Sequence, residues 1–578
     1  MSDTATASKT ETAPPPVDMV NVQIDGEWHQ FPKGTRMIEA CRQVGKMVPH
    51  YCYHPKLTSP GNCRMCLVEM GMPPRPKPGE EPERDENGRQ PIGWMPRPVI
   101  ACANTVADNM GIRTDSLLTQ ECRKGVMEFL LINHPLDCPI CDQAGECRLQ
   151  EHSVEHGKGE SRFRESKVKK PKNVDIGPRI RLDDERCIMC SRCIRFTDEI
   201  ADDPVLGFTD RGSHTTLAVH PGKQLANNYS LNTVDICPVG ALTSNDFRFQ
   251  MRVWFLSETD SLCTKCGRGC NTTIGARGNE VFRQTPRQNN DVNSDWMCDQ
   301  GRLDFHFVNS ELRLTDPMVK AGGKHGLADW KVALQKTAAG LQNGSGDKVA
   351  IIASARMTNE ELFFVKQLAK ALGTENVDVI PRTGGGDNYL RADDQNPNSN
   401  GVRQILGTEP GSKVDAIKKG IADRSITSVL ALGEDLLKAG FDKDDLEGLA
   451  FLGNLHILAN PTADIASVVL PGSSFAEKRG SMINVTGRLQ RLNKAIESPG
   501  QARDTWEILR DLVVACGGSN GLYMIEDVFK QLASQVDCFK DLTLAKVGKQ
   551  GVQILETDEK IPLLEREQER ITKKLIVG

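Results

Sequence analysis

Residues 187–193 read Cys187-Ile188-Met189-Cys190-Ser191-Arg192-Cys193, and a fourth thiol returns in Cys237-Pro238-Val239-Gly240-Ala241-Leu242. Three thiols from one tight loop suit a cubane iron-sulfur cluster better than zinc, whose cysteines usually come in separated pairs. Outward from this loop, fifteen of the 19 cysteines, joined by one histidine, fall into four sets. The other three sets are Cys52, Cys63, Cys66 and Cys102; His134, Cys138, Cys141 and Cys147; and Cys263, Cys266, Cys270 and Cys298. Four such sets imply electron transfer rather than bond-making.

At 578 residues the chain exceeds one core, and about 100–200 residues per domain implies several. Seventeen cysteines lie at or before Cys298, so a metal-rich half precedes a metal-free one. Residues 1–20 (MSDTATASKTETAPPPVDMV) lack a basic n-region and a hydrophobic h-region, and no 18-residue apolar run occurs. That argues against secretion, a twin-arginine signal and a membrane span, and places the thiols in a reducing compartment. Residues 1–18 read as a disordered leader. A net charge of −5 spread along the chain offers nucleic acid no basic footprint.

Residues 20–24 alternate, meet the turn Asp25-Gly26 and continue through 28–31, which predicts a hairpin. Thr35 is then expected to cap a short helix reaching Gly45 that buries Met37, Ile38, Cys41 and Val44. Strand, strand, helix and cysteine loop is the order of a β-grasp ferredoxin, expected over 19–116. The spacing Cys52-x10-Cys63-x2-Cys66 with a distant Cys102 resembles the 2Fe-2S clasp of plant-type ferredoxins, although its first gap is ten residues rather than four. Zinc is the alternative metal for Cys-x2-Cys. Residues 71–98, with eight prolines, read as an exposed insertion. In the second set, three cysteines within 138–147 need a fourth ligand, and His134 stands four residues before the first.

The 187–193 triplet with its distant Cys237-Pro238 resembles two-cluster bacterial ferredoxins, but the cysteines of a second cluster are missing, so one cluster remains. The basic run 167–172 upstream reads as a solvated linker. Cys263-x2-Cys266-x3-Cys270-x27-Cys298 resembles the front of molybdopterin-dependent oxidoreductases, with Gln300 where those enzymes commonly have lysine. Beyond it, segments 348–353, 359–372, 377–380, 428–432 and 455–458 alternate as strands and helices, which predicts an α/β fold with a largely parallel sheet. Residues 463–490 also resemble the molybdopterin family, with Glu477, Gly480, Asn484, Gly487 and Arg488 in its recurring pattern. No cysteine lies between Cys298 and Cys516 to ligate molybdenum, Ser and Asp are not excluded by type, and the half is short, so a scaffold without the metal is expected. Gly384-Gly385-Gly386 reads as a flexible turn, and no GxGxxG or Walker motif appears. Helices are expected over 504–515 and 524–536, and 563–576 as an exposed helix or docking tail. Cys41, Cys122, Cys516 and Cys538 are left as buried structural thiols.

HPLDCPICDQAGECRLQ (134–150) together with HYCYHPKLTSPGNCRMCLVE (50–69) resembles the large iron-sulfur subunit of respiratory complex I, the G-type subunit of bacterial NADH-quinone oxidoreductase. The resemblance implies one 2Fe-2S cluster on Cys52, Cys63, Cys66 and Cys102, and three 4Fe-4S clusters: on His134, Cys138, Cys141 and Cys147; on Cys187, Cys190, Cys193 and Cys237; and on Cys263, Cys266, Cys270 and Cys298. Neutral imidazole in place of a thiolate should raise its cluster's potential on electrostatic grounds. The implied architecture is mixed α+β and α/β: a 2Fe-2S domain (19–116), a histidine-ligated segment (117–160), a ferredoxin-like domain (161–255), a 4Fe-4S domain of molybdopterin-oxidoreductase type (256–312) and an α/β domain (313–578) without molybdopterin. The implied function is relay of single electrons from the NADH/FMN subunit toward quinone, with no substrate-transforming site on this chain. The fourth cluster, kept here as in bacterial rather than mitochondrial versions, is expected to be structural or off the main path. Implied partners are the FMN/NADH-binding subunit, the small 2Fe-2S subunit, the two-cluster ferredoxin-like subunit and the quinone-site subunits, on the cytoplasmic side of the bacterial inner membrane. The rival readings are a molybdenum enzyme such as formate dehydrogenase, the diaphorase-linked subunit of an NAD-reducing hydrogenase, and a structural zinc protein.

Overall fold

A computed structural model describes residues 18–76, 81, 83–344, 346–519 and 521–577. The expected leader, apart from Asp18, lies outside the described residues. The described residues form two compact units, one within 1–226 with 236–245 and 570–578, and one within 227–235 with 246–569.

In the first unit the strands Met19–Ile24 and Glu27–Pro32 pair antiparallel across Asp25 (φ 48°) and Gly26 (φ 95°). Asp-Gly tolerates the positive φ that a tight hairpin turn requires. The first strand then pairs in parallel with Met110–Arg113, which pairs antiparallel with Leu67–Met72, giving a mixed sheet. Val20, Val22 and Ile24 point from alternate positions into one core with Met37, Ile38 and Cys41 of the helix Met37–Gln43. Thr35 does not cap that helix. Its hydroxyl donates to the Pro32 carbonyl at 2.7 Å, while the Met37 and Ile38 amides donate to the Asn104 and Ala101 carbonyls. Val44 lies beyond the helix end and is only half-buried. The described part of the proline-rich insertion is mostly exposed, but Gly71 and Met72 pair with Trp94 and Gly93, and the Arg113 guanidinium stacks 3.8 Å over the Trp94 ring.

Ser116 then caps the helix Leu117–Leu131, accepting from the Thr119 amide at 3.3 Å. After the helix Arg148–His156 come a three-stranded antiparallel sheet (Leu242–Ser244, Ile180–Leu182, Val174–Gly177), the helix Arg192–Glu199 and the hairpin Leu206–Thr209/Thr216–Val219. Residues 167–172 are exposed at Lys169, Pro171 and Lys172, but the segment is tied down by its lysines. Lys167 donates to the Leu131 and Ile132 carbonyls at 2.8 Å, Lys170 pairs with buried Asp184 at 3.6 Å, and Lys172 bridges Asp137 and Glu185.

The second unit opens with the antiparallel sheet Ser257–Leu262, Asn271–Arg277 and Glu280–Pro286. It is dominated by a seven-stranded sheet whose five strands Val468–Pro471, Phe451–His456, Ser428–Leu432, Val349–Ala353 and Val377–Val379 run parallel. Val349, Ile351 and Ala353 belong to one hydrophobic core and Ala350 and Ile352 to another, so both faces are covered and the strand reads as an unbroken apolar run. The strand expected at 455–458 begins earlier, at Phe451. Gly453 and Asn454 serve packing within this strand: a Cβ on Gly453 would stand 2.9 Å from Leu430 Cδ1, and the Asn454 side chain donates to the Glu434 carbonyl. The helix Pro562–Val577 is anchored rather than exposed at its start, where Leu563 is buried and Trp296 Nε1 and Ser294 Oγ donate to Glu567 at 2.7 and 2.8 Å. Of the four spare cysteines, Cys41 and Cys516 are buried, but Cys122 and Cys538 are only half-buried.

Two glycine-to-alanine changes should move stability in opposite directions. A Cβ on Gly340 would stand 2.2 Å from the Phe451 ring, so Gly340→Ala should destabilise by about 1–3 kcal/mol. Gly125 lies in the helix Leu117–Leu131 with nothing within 4 Å of its Cβ position, so Gly125→Ala should stabilise by about 0.5–1 kcal/mol. Scanning calorimetry checks both shifts.

Candidate functional site

Members of the first three cysteine sets meet in one hydrophobic core of the first unit, while Cys66 and Cys102 belong to the core of the mixed sheet. In the former, Cys52, Cys63 and Cys190 are buried among Tyr51, Met127, Leu149 and Val239, and Cys147, Cys187 and Cys237 pack against them. In the first set Cys63 Sγ accepts from the Cys52 amide at 3.4 Å, and the Cys66 and Cys102 thiols hydrogen-bond one another. Cys187, Cys190, Cys193 and Cys237 line one cavity. Cys138, Cys141 and Cys147 lie within mutual electrostatic reach, as do Cys263, Cys266, Cys270 and Cys298 in the second unit. Each loop turns through left-handed backbone: Arg64 (φ 59°), Gly145 (φ 92°), Met189 (φ 53°) with Ser191 (φ 59°), and Gly269 (φ 60°). Such conformations are costly for Arg, Met and Ser and persist where function over-determines them.

Burial pushes the thiol of Cys147 up to about 11, of Cys237 to about 11 and of Cys298 to about 12. Burial also drives Cys193, Cys263 and Cys270 well above the usual thiol range. Backbone amides oppose it: Val239, Leu242 and Ala241 donate toward Cys237, Gln150 and Leu149 toward Cys147, and Gly301 to Cys298 Sγ at 3.3 Å. Desolvated sulfur faced by amide dipoles becomes thiolate when a metal cation supplies the missing charge. The packing is close as well. A Cβ on Gly240 would stand 2.5 Å from Cys141 Sγ, and one on Gly301 would stand 3.0 Å from Cys263 Sγ. This donor set fits iron-sulfur clusters.

His134 is held neutral at ordinary pH: burial lowers its imidazole to about 4, and its buried Nδ1 has no hydrogen-bond partner. A neutral ring with an unspent nitrogen suits metal ligation. The turn after it is fixed by Asp137, which accepts from Arg186 Nη2 at 2.9 Å and from Lys172 at 3.2 Å. Burial pushes the Asp137 carboxyl up, but these two cations outweigh it and hold it below its ordinary value.

Two residues not singled out from sequence tie the first and third sets together. On the helix Arg192–Glu199, Arg195 donates to the Cys52 carbonyl at 2.5 Å and the Cys190 carbonyl at 3.3 Å, while Arg192 donates to the carbonyls of Ile236, at 3.2 Å, and Tyr53. One helix thus uses two cations to tie together the Cys52 loop, the 187–193 loop and the Cys237 segment. Arg-Cys-Ile-Arg, with cations three apart on the helix that follows a cysteine triplet, is the signal that was available.

In the second unit the residues of the molybdopterin-like pattern hold the Cys263–Cys270 loop and its surroundings. Asn484 donates to the Arg268 carbonyl at 3.2 Å and Gln490 to the Gly269 carbonyl at 3.0 Å. Glu477 receives a two-pronged contact from Arg313, and Arg488 pairs with Asp291 at 2.7 Å. Gly487 (φ 80°) lies where a Cβ would meet the Leu555 carbonyl at 2.3 Å. Gln300 is exposed.

Comparison with known proteins gives five matches along the chain. Residues 17–116 match a 2Fe-2S iron-sulfur cluster binding domain, and 123–162 match the NADH-ubiquinone oxidoreductase-G iron-sulfur binding region. Residues 177–243 match the ferredoxin-like domain of NADH-quinone oxidoreductase subunit 3, and 256–306 an NDSU1/NuoG-like 4Fe-4S domain. Residues 313–409 and 394–515 match molybdopterin oxidoreductase. The chain is therefore a mixed α/β multidomain protein with 2Fe-2S, 4Fe-4S and molybdopterin-oxidoreductase domains. It is 39% identical over 361 residues to the G-type subunit of NADH-quinone oxidoreductase of Rickettsia felis, covering 62% of this chain and 50% of that one. It is 40% identical over 376 residues to the 78 kDa mitochondrial subunit of NADH-ubiquinone oxidoreductase of Neurospora crassa, covering 64% of this chain and 47% of that one. Against these two the chain spans about half the relative's length. With the corresponding G-type subunit of Rickettsia prowazekii the identity is 29%, over 92% of each chain.

Asp137→Asn should weaken the first unit, and the pH dependence identifies the cause. Because the folded carboxyl titrates below its unfolded value of about 3.9, its contribution is present above that pH and lost as pH falls through the lower folded value. The stability difference between wild type and variant, followed by thermal unfolding from pH 7 to 3, should shrink toward acid.

Proposed function

Because the chain belongs to the family of the G-type, large iron-sulfur subunit of NADH-quinone oxidoreductase, we propose that it is an iron-sulfur electron-transfer subunit of respiratory complex I, relaying single electrons from the NADH/FMN subunit toward quinone. The observation that carries this reading is the gathering of desolvated thiols, faced by backbone amides, into four sets along one chain. Clusters bound there would supply one-electron chemistry, while the protein sets their potentials through ligand type, hydrogen bonds and burial.

The proposed ligands are Cys52, Cys63, Cys66 and Cys102 for a 2Fe-2S cluster in a β-grasp ferredoxin domain. Three 4Fe-4S clusters are assigned to His134 with Cys138, Cys141 and Cys147; to Cys187, Cys190, Cys193 and Cys237; and to Cys263, Cys266, Cys270 and Cys298. The domain plan is that of the sequence boundaries, 19–116, 117–160, 161–255, 256–312 and 313–578. Arg192 and Arg195 position the loops and place positive charge beside the sulfurs. The α/β half serves as scaffold without molybdopterin, a reading supported by the use of Glu477, Asn484 and Arg488 in internal contacts. Its partners are the other peripheral-arm subunits, those carrying the NADH/FMN site, the small 2Fe-2S centre, the two-cluster ferredoxin and the quinone site. The location is the cytoplasmic face of the bacterial inner membrane; no helix among the described residues is long and apolar enough to cross a membrane.

Low-temperature electron paramagnetic resonance of the anaerobically reduced chain tests the reading. One 2Fe-2S signal and up to three 4Fe-4S signals are expected, and Cys187→Ser should remove one of the latter; an iron-free, colourless protein after oxygen-free reconstitution overturns it. His134→Cys adds a negative charge to its cluster, so a redox titration should show that centre's midpoint potential lowered.

A further inference from the structure

The helix Arg148–His156 carries a group of side chains that electron relay leaves unused. His152, Glu155 and His156 project from one face of its last turn, as residues three and four apart on a helix must. Glu155 Oε2 lies 3.4 Å from His152 Nδ1 and 3.6 Å from His156 Nε2, and one ligand atom from each residue falls within 4.8 Å of the others. Zinc-nitrogen and zinc-oxygen bonds of about 2.0–2.2 Å put tetrahedral ligand atoms roughly 3.3–3.6 Å apart, the spacing already present between Glu155 and each imidazole. Histidines four apart on a helix are a spacing that zinc-binding helices use.

We propose that His152, Glu155 and His156 form a binding site for a divalent transition cation of the zinc class, separate from the four cysteine sets. Two imidazoles and one carboxylate match the borderline ligand preference of zinc, and the exposed side of Glu155, with 61% of its side chain accessible, leaves a fourth position for water. Burial lowers both imidazoles, so both rings are neutral at pH 7 and their lone pairs are available. A simple ion pair between Glu155 and these rings is correspondingly weak, which leaves the carboxylate in want of a cation. The surrounding charges are mixed. Arg148 and Arg123 act on the two rings, but Glu151 and Asp115 act on them with opposite sign, and the Arg123 guanidinium is already committed to the Leu67 and Thr114 carbonyls at 3.0 and 2.6 Å. The His152 ring is held on its other side by an edge contact with Tyr51, 5.3 Å between centroids, and the Tyr51 hydroxyl is tied to Met127 Sδ at 3.2 Å. One ligand is therefore oriented in advance, as outer partners orient metal-bound histidine.

The experiment uses the full chain with its iron loaded, chelator-washed, exposed to zinc chloride and desalted, then read by metal analysis and zinc K-edge absorption, which iron does not obscure. Expected is one zinc per chain with nitrogen and oxygen neighbours only. In His152→Gln/His156→Gln, zinc affinity should fall by more than the roughly 10–100-fold that loss of an outer partner costs, with iron content unchanged. Glu155→Gln, at an exposed position, gives an intermediate loss and guards against misfolding of the double variant. Failure of the wild type to retain zinc, zinc with sulfur neighbours, or equal retention by the variants overturns the proposal. Because iron is counted in the same samples, loss of the clusters and loss of this site are read separately.

Discussion

The structure depends on a conflict between burial and charge at sulfur. The proposed electron transfer would need metal centres shielded from water, yet a thiol taken out of water resists becoming the thiolate that iron would require: burial holds Cys147, Cys237 and Cys298 at about 11, 11 and 12. The chain resolves the conflict with dipoles before any metal arrives. Backbone amides converge on the sulfurs, and the loops that aim them adopt left-handed turns at Arg64, Met189, Ser191 and Gly269. A solvent-exposed loop would hold its thiolates without such amides, but it would surrender the dry surroundings through which hydrogen bonding and burial tune a cluster.

The same logic explains the two arginines on the helix Arg192–Glu199. A guanidinium as buried as that of Arg192 is destabilising unless its hydrogen bonds are met and opposite charge lies near. Carbonyl oxygens of Tyr53 and Ile236 take both terminal nitrogens of Arg192, those of Cys52 and Cys190 take Arg195, and the sulfurs of Cys52, Cys190, Cys193 and Cys237 lie within electrostatic reach. Were these sulfurs charged by a bound metal, the two guanidinium groups would gain opposite charge beside them, and folding of the first unit would then be coupled to metal loading. The contact of Gly240 with Cys141 adds a steric link between the second and third sets, since even a methyl group there would collide with sulfur.

Much of this was legible in the sequence because cysteine spacing is a local code. The hairpin at Asp25-Gly26, the helix at 359–372 and the parallel strands at 349–353 and 428–432 all follow from patterns a few residues long. What escaped depends on contacts between distant segments. Lys170 looks like part of a solvated run until it is seen to pair with buried Asp184. Thr35 looks like a cap, but carbonyls of 101 and 104 had already claimed the helix amides. The charged C-terminal helix reads as exposed until Trp296 and Ser294 supply donors for Glu567. In each case the residue type was read correctly and its partner was out of view.

In the α/β half the residues of the molybdopterin-like pattern have structural work of their own. Asn484 and Gln490 hydrogen-bond the carbonyls of Arg268 and Gly269 in the turn that leads to Cys270, Gly487 leaves room for the Leu555 carbonyl, and Glu477 satisfies the side chain of Arg313. Replacing any of them would leave a buried polar group unmet or a backbone clash, at roughly 1–3 kcal/mol each. Selection for a folded cysteine loop is then sufficient to retain these residues, whether or not a pterin ever reaches them. These contacts tie the 463–490 segment to the loop that carries Cys263, Cys266 and Cys270.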